Sequence, residues 1–254
     1  MKVKAIIFDF GFTLFYFKNA TVNNYFECFK EGLLKSIKFL QDENIFGKNT
    51  NIKEFITMFN KVRLASYRNN DKSFRELTTP SLFKKILQEF EVQISNEKIY
   101  YKLADLYHSC EEREWFPFAD TQKTLETLKQ KGLKIGLISN HPYHISILNM
   151  LETYNLKNYF DAIMTSARFG KRKPHVEIFL KTISKMGLSE EANHQTIMCG
   201  DEYADIIGAS KAGLIPVFYH RKVEFPYEKE INLSNIKTIE GIYDIVGIIE
   251  NFNI

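Results

Sequence analysis

The chain has 254 residues, which is enough for one large domain or for a core with a smaller second domain. Its formal net charge is only +3, without long runs of one sign, and this argues against binding to nucleic acid through a basic surface. The first apolar stretch is far shorter than the ~20 residues that cross a bilayer, so we expect neither export nor a membrane anchor. The three cysteines, Cys28, Cys110 and Cys199, are scattered and match no metal-binding spacing, which is typical of a reducing cytoplasm.

A short apolar run, Val3 to Phe8, predicts a first β-strand that ends at Asp9. After this run, apolar residues recur at helical spacing in several stripes. These stripes contain Phe26, Phe29, Leu33, Ile37 and Leu40, then Ile52, Phe55, Phe59 and Val62, then Leu82, Phe83, Ile86, Leu87 and Phe90, and finally Ile99, Leu103, Leu106 and Cys110. Residues 16–113 are therefore predicted to form a helical block.

After the helical block, short apolar runs alternate with helical stretches. The runs are Leu133 to Ile138, Asp161 to Thr165, Thr196 to Cys199 and Leu214 to Tyr219. This alternation is typical of right-handed βαβ units and a parallel sheet, and the first strand needs that sheet as its partner. The sequence thus predicts an α/β fold in which residues 1–15 and 114–254 form a Rossmann-like parallel sheet core. The all-helical cap domain, residues 16–113, is inserted after the first strand.

Four short polar strings lie at predicted strand ends or helix starts: Asp9 to Thr13, Ser139-Asn140, Lys173-Pro174, and Gly200-Asp201 with Asp205. Open α/β sheets bind ligands beyond the carboxyl ends of their strands, so we expect these strings to meet there. Asp201 and Asp205 are four residues apart on an emerging helix and share a face, and Asp9 completes a group of three carboxylates.

Such a group of carboxylates requires a cation. At ~4 Å and an effective dielectric of ~20, each pair of carboxylates repels by roughly 4 kcal/mol. Hard oxygen ligands select Mg²⁺, which also lets an anionic nucleophile approach a phosphate dianion. Lys173 and the hydroxyl of Ser139 are suited to hold the transferring oxygens. We therefore expect phosphoryl transfer to Asp9.

Taken in order, the four strings resemble the four motifs of the haloacid dehalogenase-like hydrolase superfamily, in its subgroup with a helical cap after the first strand. The resemblance implies that Asp9 is the nucleophile of an aspartyl-phosphate intermediate. It also implies phosphoryl binding by Ser139, Asn140 and Lys173, and Mg²⁺ binding by Asp9, Asp201, Asp205 and the backbone carbonyl of Gly11. The expected partner is a small phosphate ester in the cytoplasm, with no nucleic acid and no membrane. The oligomeric state stays open.

Gly11 is a departure from the pattern of the superfamily. Most of its phosphatases carry a second aspartate two residues after the nucleophile, where it acts as general acid and base. Proton transfer by a placed side chain is worth a factor of ~10² to 10⁴, so we expect slow turnover with metal binding retained. We also expect Gly11→Asp to preserve or raise turnover. His141 and His175, each directly after one of the strings, are alternative proton donors.

Two other functions fit the same strings. A metal-free 2-haloacid dehalogenase also lacks the second aspartate, and its nucleophile displaces halide from carbon. The pair Asp201 and Asp205, typical of members that use a metal, favours the phosphatase. The third possibility is a protein that keeps the fold but has lost useful catalysis and binds a ligand or partner. The presence of all the other expected site residues argues against it.

Overall fold

A computed structural model describes residues 2–68, 73–223 and 229–252, with the side chains of residues 67 and 68 left undescribed. The chain divides into two compact units. Residues 1–18 and 115–254 form one unit, here called the sheet unit, and residues 19–114 form the other, here called the helical unit.

The helical unit contains five helices in its described residues. They are α1 (Val22–Asp42), α2 (Ile52–Arg68), α3 (Thr79–Glu89), α4 (Lys98–His108) and α5 (Glu111–Glu114). Helix α1 begins where the hydroxyl of Thr21 accepts a hydrogen bond from the backbone N–H of Asn24, as a good N-cap does. Most residues of the predicted apolar stripes belong to the core of this unit. Phe26 is 46% exposed, and Leu106 and Cys110 are not part of this core cluster.

Helices α1 and α4 approach each other closely at Gly32. A β-carbon at this position would lie 1.9 Å from the carbonyl oxygen of Tyr107. Near this contact, a disulfide joins Cys28 in α1 to Cys110, although 82 residues separate them in the chain. This disulfide contradicts the expectation that the scattered cysteines are thiols of a reducing cytoplasm. The cysteine spacing does not predict the bond, because only the packing of α1 against the α4 end brings the two thiols together. The third cysteine, Cys199, is free and buried.

The sheet unit contains a parallel sheet of six strands. Its strands are β1 (Ala5–Phe8), β4 (Lys134–Ser139), β5 (Ala162–Thr165), β6 (Thr196–Gly200), β7 (Ile215–Tyr219) and β8 (Lys237–Ile239). Their order is β5-β4-β1-β6-β7-β8, and every neighbouring pair is parallel. The predicted α/β class, a Rossmann-like parallel sheet with a helical insertion, is confirmed.

Helices cover the central strand on both faces. The sheet unit's helices are α6 (Thr121–Gln130), α7 (His144–Thr153), α8 (Ser166–Phe169), α9 (Val176–Lys185), α10 (Tyr203–Lys211) and α11 (Ile245–Phe252). Ile7 of β1 belongs to a core cluster with Phe179 of α9 and Ala209 of α10. The alternate residues Ile6 and Phe8 are fully buried as well. This is the pattern of a strand buried on both faces, which reads as a continuous apolar run in the sequence.

A second, two-stranded sheet follows the first strand. Strand β2 (Phe15–Phe17) pairs antiparallel with β3 (Trp115–Pro117). Residues 16 and 17, which the sequence analysis assigns to the helical block, are therefore part of a strand. The apolar residues here are too few to show a period, and the partner strand lies about a hundred residues away. No helix in the described part of the chain is long and apolar enough to cross a bilayer.

We predict that Gly32→Ala destabilises the helical unit. The added methyl group would collide with the backbone of α4, which cannot turn away as a side chain can, so we expect a loss of about 2 kcal/mol or more. Urea denaturation followed by circular dichroism measures the change. Gly47→Ala is the matched control, because a β-carbon there meets only the Thr50 hydroxyl at 4.0 Å. Equal stability of the two variants would show that α1 and α4 are not in close contact.

Candidate active site

Four neighbouring strands of the parallel sheet deliver polar residues to one edge. β4 ends at Ser139, β1 is followed by Asp9, β6 is followed by Asp201, and β7 is followed two residues later by Arg221. The backbone N–H of Asp9 donates to the carbonyl of Cys199 at 2.9 Å, which continues the ladder between β1 and β6. The two aspartates thus leave adjacent strands side by side, as expected at the carboxyl edge of a parallel sheet.

Three buried carboxylates meet at this edge. One oxygen each of Asp9, Asp201 and Asp205 lie within 4.8 Å of one another. Asp205 lies in the first turn of α10, where its Oδ2 accepts from the backbone N–H of Glu202 at 3.1 Å. Its Oδ1 has no hydrogen bond and instead forms an ion pair with Lys173. The structure therefore brings together the carboxylates that the sequence analysis groups.

Burial disfavours the charged form of two of these carboxylates. It raises the pKa of Asp9 to about 7, since the effects of burial and of the nearby Asp205 exceed the opposing effect of Lys173. Burial, followed by the charge of Asp9, raises the pKa of Asp201 well above its usual range. A positive charge placed among these carboxylates would stabilise their charged forms.

Lys173 supplies positive charge to the group. Its ammonium contacts the carboxylates of Asp9 and Asp205 and donates to the carbonyl of Ile138 at 3.0 Å. Burial alone would lower the pKa of Lys173, but the two carboxylates outweigh burial and raise it. The side chain is charged and held in place between two strands.

Asn140 fixes the backbone of Lys173. Its amide oxygen accepts from the Lys173 N–H at 2.8 Å, and its amide nitrogen donates to the Lys173 carbonyl at 3.1 Å. From the resemblance of its motif, Asn140 is expected to bind substrate. In the structure its amide is engaged on both sides with the backbone that carries Lys173, so its visible role is to position that lysine.

Arg221 is a site residue that the sequence analysis missed. Its Nη1 forms a buried ion pair with Oδ2 of Asp201, while the hydroxyl of Thr13 donates to Oδ1 of Asp201 at 2.8 Å. Both oxygens of Asp201 therefore have partners. The signal was present in the sequence, because Arg221 follows the predicted strand Leu214 to Tyr219 just as Asp9 follows the first strand.

The space beside Gly11 is occupied by Trp115. A β-carbon at position 11 would lie 3.1 Å from Cη2 of the indole. The indole makes edge contacts with Phe10, Phe12 and Phe17. A side chain at position 11 therefore requires a small shift of an aromatic ring that is held by other rings.

Both histidines considered as proton donors have local partners. Nδ1 of His141 lies 2.8 Å from the carbonyl oxygen and 3.1 Å from the amide nitrogen of Tyr143. Nε2 of His175 lies 3.1 Å from Nζ of Lys171. Their part in proton transfer stays a prediction.

Comparison with known proteins identifies the family. The profile of haloacid dehalogenase-like hydrolases matches residues 47–218, more than half of the chain. The chain belongs to this family. The matched range begins after Asp9, so the geometry described above is the support for the first strand's part in the site.

Two curated relatives of this hydrolase are named phosphatases. It is 28% identical over 251 residues to glyceraldehyde 3-phosphate phosphatase of Methanocaldococcus jannaschii, covering 98% of each chain. It is 36% identical over 97 residues to phosphoglycolate phosphatase of Aquifex aeolicus, covering 38% of this chain and 44% of that protein. The hydrolase is thus similar in sequence to proteins that are named phosphatases.

A solved structure shows the same fold without deciding the reaction. The 2-haloacid dehalogenase of Pseudomonas syringae pv. Tomato DC3000 has a TM-score of 0.63 and 19% identity to this hydrolase. The comparison covers 98% of this chain and 99% of that one. At this level of identity, the chemistry must be argued from the side chains of the site.

The group of three carboxylates fits a hard divalent cation. All of its donor atoms are oxygens, and three carboxylates lie close enough to share one ion. A positive ion would also reduce the repulsion that accompanies the raised pKa values of Asp9 and Asp201. The residues present therefore suit Mg²⁺.

We predict that Asp9→Asn stabilises the metal-free hydrolase at pH 8. The pKa of Asp9 is about 7 in the folded protein and near 3.8 when unfolded. The folded state thus binds the proton more tightly, and the wild type loses stability as pH rises through this interval. The gain in unfolding free energy from Asp9→Asn should grow between about pH 4 and pH 7, to the order of a few kcal/mol, and stay level up to pH 8. Urea denaturation with a chelator present measures it.

Asp161→Asn is the control with the opposite sign. Burial opposes ionisation of Asp161, but Lys129, Lys134 and the N–H of Ile135 outweigh burial and lower its pKa. Its charged form stabilises the fold above the unfolded pKa, so Asp161→Asn should destabilise the protein at pH 8. An Asp9→Asn variant less stable than wild type at pH 8 would contradict the assigned effect of burial.

Proposed function

We propose that the protein is a Mg²⁺-dependent phosphatase that hydrolyses a small phosphorylated metabolite through an aspartyl-phosphate on Asp9. The observation that carries the proposal is the buried ammonium of Lys173, which bridges Asp9 and Asp205 inside a group of three carboxylates. A nucleophile, a cation suited to phosphoryl oxygens and a set of hard oxygen ligands lie within one small volume.

In the first step, a carboxylate oxygen of Asp9 attacks phosphorus. A bond forms between Asp9 and phosphorus and the ester P–O bond breaks. The leaving oxygen takes the bonding electrons and a proton from solvent, which gives the alcohol. Lys173 and the hydroxyl of Ser139 hold the phosphoryl oxygens, and the amide of Asn140 keeps Lys173 in position. In the second step, water attacks phosphorus and releases a proton to solvent, the P–O bond to Asp9 breaks with its electrons returning to the carboxylate, and inorganic phosphate leaves.

Mg²⁺ would be held by Asp9, Asp201, Asp205 and the backbone carbonyl of Gly11. When bound, it supplies positive charge that offsets the repulsion between the Asp9 carboxylate and the anionic ester. Thr13 contributes indirectly, since its hydrogen bond to Oδ1 orients Asp201. The proposed metal ligands thus include a carboxylate that the protein already orients through a hydrogen bond.

The names of the relatives suggest the first substrates to test. Glyceraldehyde 3-phosphate and phosphoglycolate are small anionic esters, and this chain is similar to one enzyme named for each. The cytoplasmic location expected from the sequence stays a prediction. Dehalogenation stays the second candidate, because Gly11 brings no carboxyl group and the dehalogenase of Pseudomonas syringae pv. Tomato DC3000 shares the fold.

We predict that the protein releases phosphate from these two esters or from p-nitrophenyl phosphate when Mg²⁺ is present. A chelator and Asp9→Asn should each abolish release, the first because repulsion is no longer offset and the second because the nucleophile is lost. Phosphate release is measured colorimetrically. Asp161→Asn, a change to a carboxylate outside the group, should retain activity. Chloride release from chloroacetate in the presence of chelator, with no phosphate release, would instead establish dehalogenation.

We predict that Gly11→Asp alone lowers turnover, in contrast to the gain expected from the sequence. The new β-carbon meets the indole of Trp115 at 3.1 Å, so the loop and the ring must shift. In the pair Gly11→Asp with Trp115→Phe, the smaller ring leaves room and turnover should exceed that of Gly11→Asp alone. The kcat values are compared with Trp115→Phe as the control. A single Gly11→Asp variant as active as wild type would show that the indole yields.

A further inference from the structure

Arg221 is a buried cation that the proposed mechanism does not use. It follows β7, and its side chain is 6% exposed. Nη1 contacts Oδ2 of Asp201, Nε donates to the carbonyl of Val223 at 2.8 Å, and the guanidinium carbon lies 5.9 Å from the ring centre of Phe12. A carboxylate oxygen of Glu202 is 3.7 Å from Nη1. Burying a guanidinium is costly unless it is paired in this way, so its placement at Asp201 is specific.

Asp201 is shared between Arg221 and the proposed metal ion. Its Oδ1 accepts from Thr13 and its Oδ2 is paired with Arg221. A carboxylate has about four lone-pair sites, so these contacts leave room for a cation. A metal ion that binds Asp201 would nevertheless contact a carboxylate whose charge is already partly neutralised by Arg221. The metal ion would also be repelled by the positive charge of the nearby guanidinium.

The sum of the formal charges at the site shows how Arg221 affects the binding of a cation and of an anion. Asp9, Asp201, Asp205 and the nearby Glu202 carry four formal negative charges, and Lys173 and Arg221 carry two formal positive charges. The site is therefore less negative toward a divalent cation than it would be with Lys173 alone. Once the cation has bound, the formal charges sum to zero, whereas without Arg221 the site would keep one negative charge. An incoming phosphate dianion then meets a more favourable field.

We infer that Arg221 is a positioning residue that sets the balance between metal affinity and phosphate affinity: it weakens binding of the divalent cation and strengthens binding of the anionic ester. The inference rests on the proposed function for its ligands. Both affinities are measured without turnover, so the inference and the proposed function can fail separately.

The experiment compares Arg221→Met with the wild type by direct binding. Loss of the guanidinium should tighten Mn²⁺ binding by about tenfold, the worth of one charged contact, as measured by electron paramagnetic resonance of free Mn²⁺. With Mn²⁺ saturating, inorganic phosphate should bind about tenfold more weakly, as measured by equilibrium dialysis. Arg221→Lys, which keeps the charge, should stay near wild type on both measurements.

Arg113→Gln is the control for net charge. Arg113 is an exposed arginine of the helical unit that pairs with Glu31, and its loss should change neither affinity. Circular dichroism shows whether Arg221→Met folds. If it does not, Arg221→Gln replaces it, since glutamine offers Asp201 a donor without the charge.

Shifts of the two affinities in opposite directions support the inference. Weaker binding of both ligands would overturn it, because it would show that Arg221 only holds Asp201 in place. Unchanged binding of both would overturn it as well. A wild-type protein that binds no Mn²⁺ would remove the metal from the proposed function, whereas normal Mn²⁺ binding without the opposite shifts would leave that function intact.

Discussion

The arrangement of the site follows from the mutual repulsion of three carboxylates that the fold buries at the carboxyl edge of its central strands. Asp9 and Asp201 leave adjacent parallel strands, and Asp205 lies in the helix that follows the second of them. Water cannot screen charges in this position, so the protein must place cations there itself. Lys173 does this at Asp9 and Asp205, and Arg221 does it at Asp201. Each cation is held by contacts with neighbouring backbone.

The two cations have different freedom to respond to a ligand. Lys173 is fixed at its backbone by Asn140, while its ammonium contacts Asp9, the proposed nucleophile. A phosphoryl group that approaches Asp9 would therefore compete for the same ammonium. Arg221 instead contacts Asp201, which is proposed to bind the metal and not phosphorus. In the proposed function, Lys173 thus acts on the nucleophile and Arg221 acts on a metal ligand.

Much of this arrangement is predictable from local sequence patterns. Apolar residues recur at a helical period in the helical block and form short strand-like runs in the rest of the chain. The strand-end rule then places Asp9 and Asp201 near each other. Contacts between distant segments are not predictable in this way. Trp115 meets Gly11 only because β3 pairs with β2, and Asn140 turns toward the Lys173 backbone only because their loops adjoin. Arg221 could have been found by applying the strand-end rule to β7.

The covalent link between Cys28 and Cys110 makes the helical unit sensitive to its chemical surroundings. It closes a ring that contains α2, α3, α4 and most of α1. In the chain-entropy view, closing a loop of this size restricts the unfolded state by about 4 to 5 kcal/mol. Thiol reductants would remove that restriction from the helical unit while leaving the six-stranded sheet without a covalent change. The redox potential of the surroundings therefore directly affects the stability of the helical unit but not that of the sheet unit.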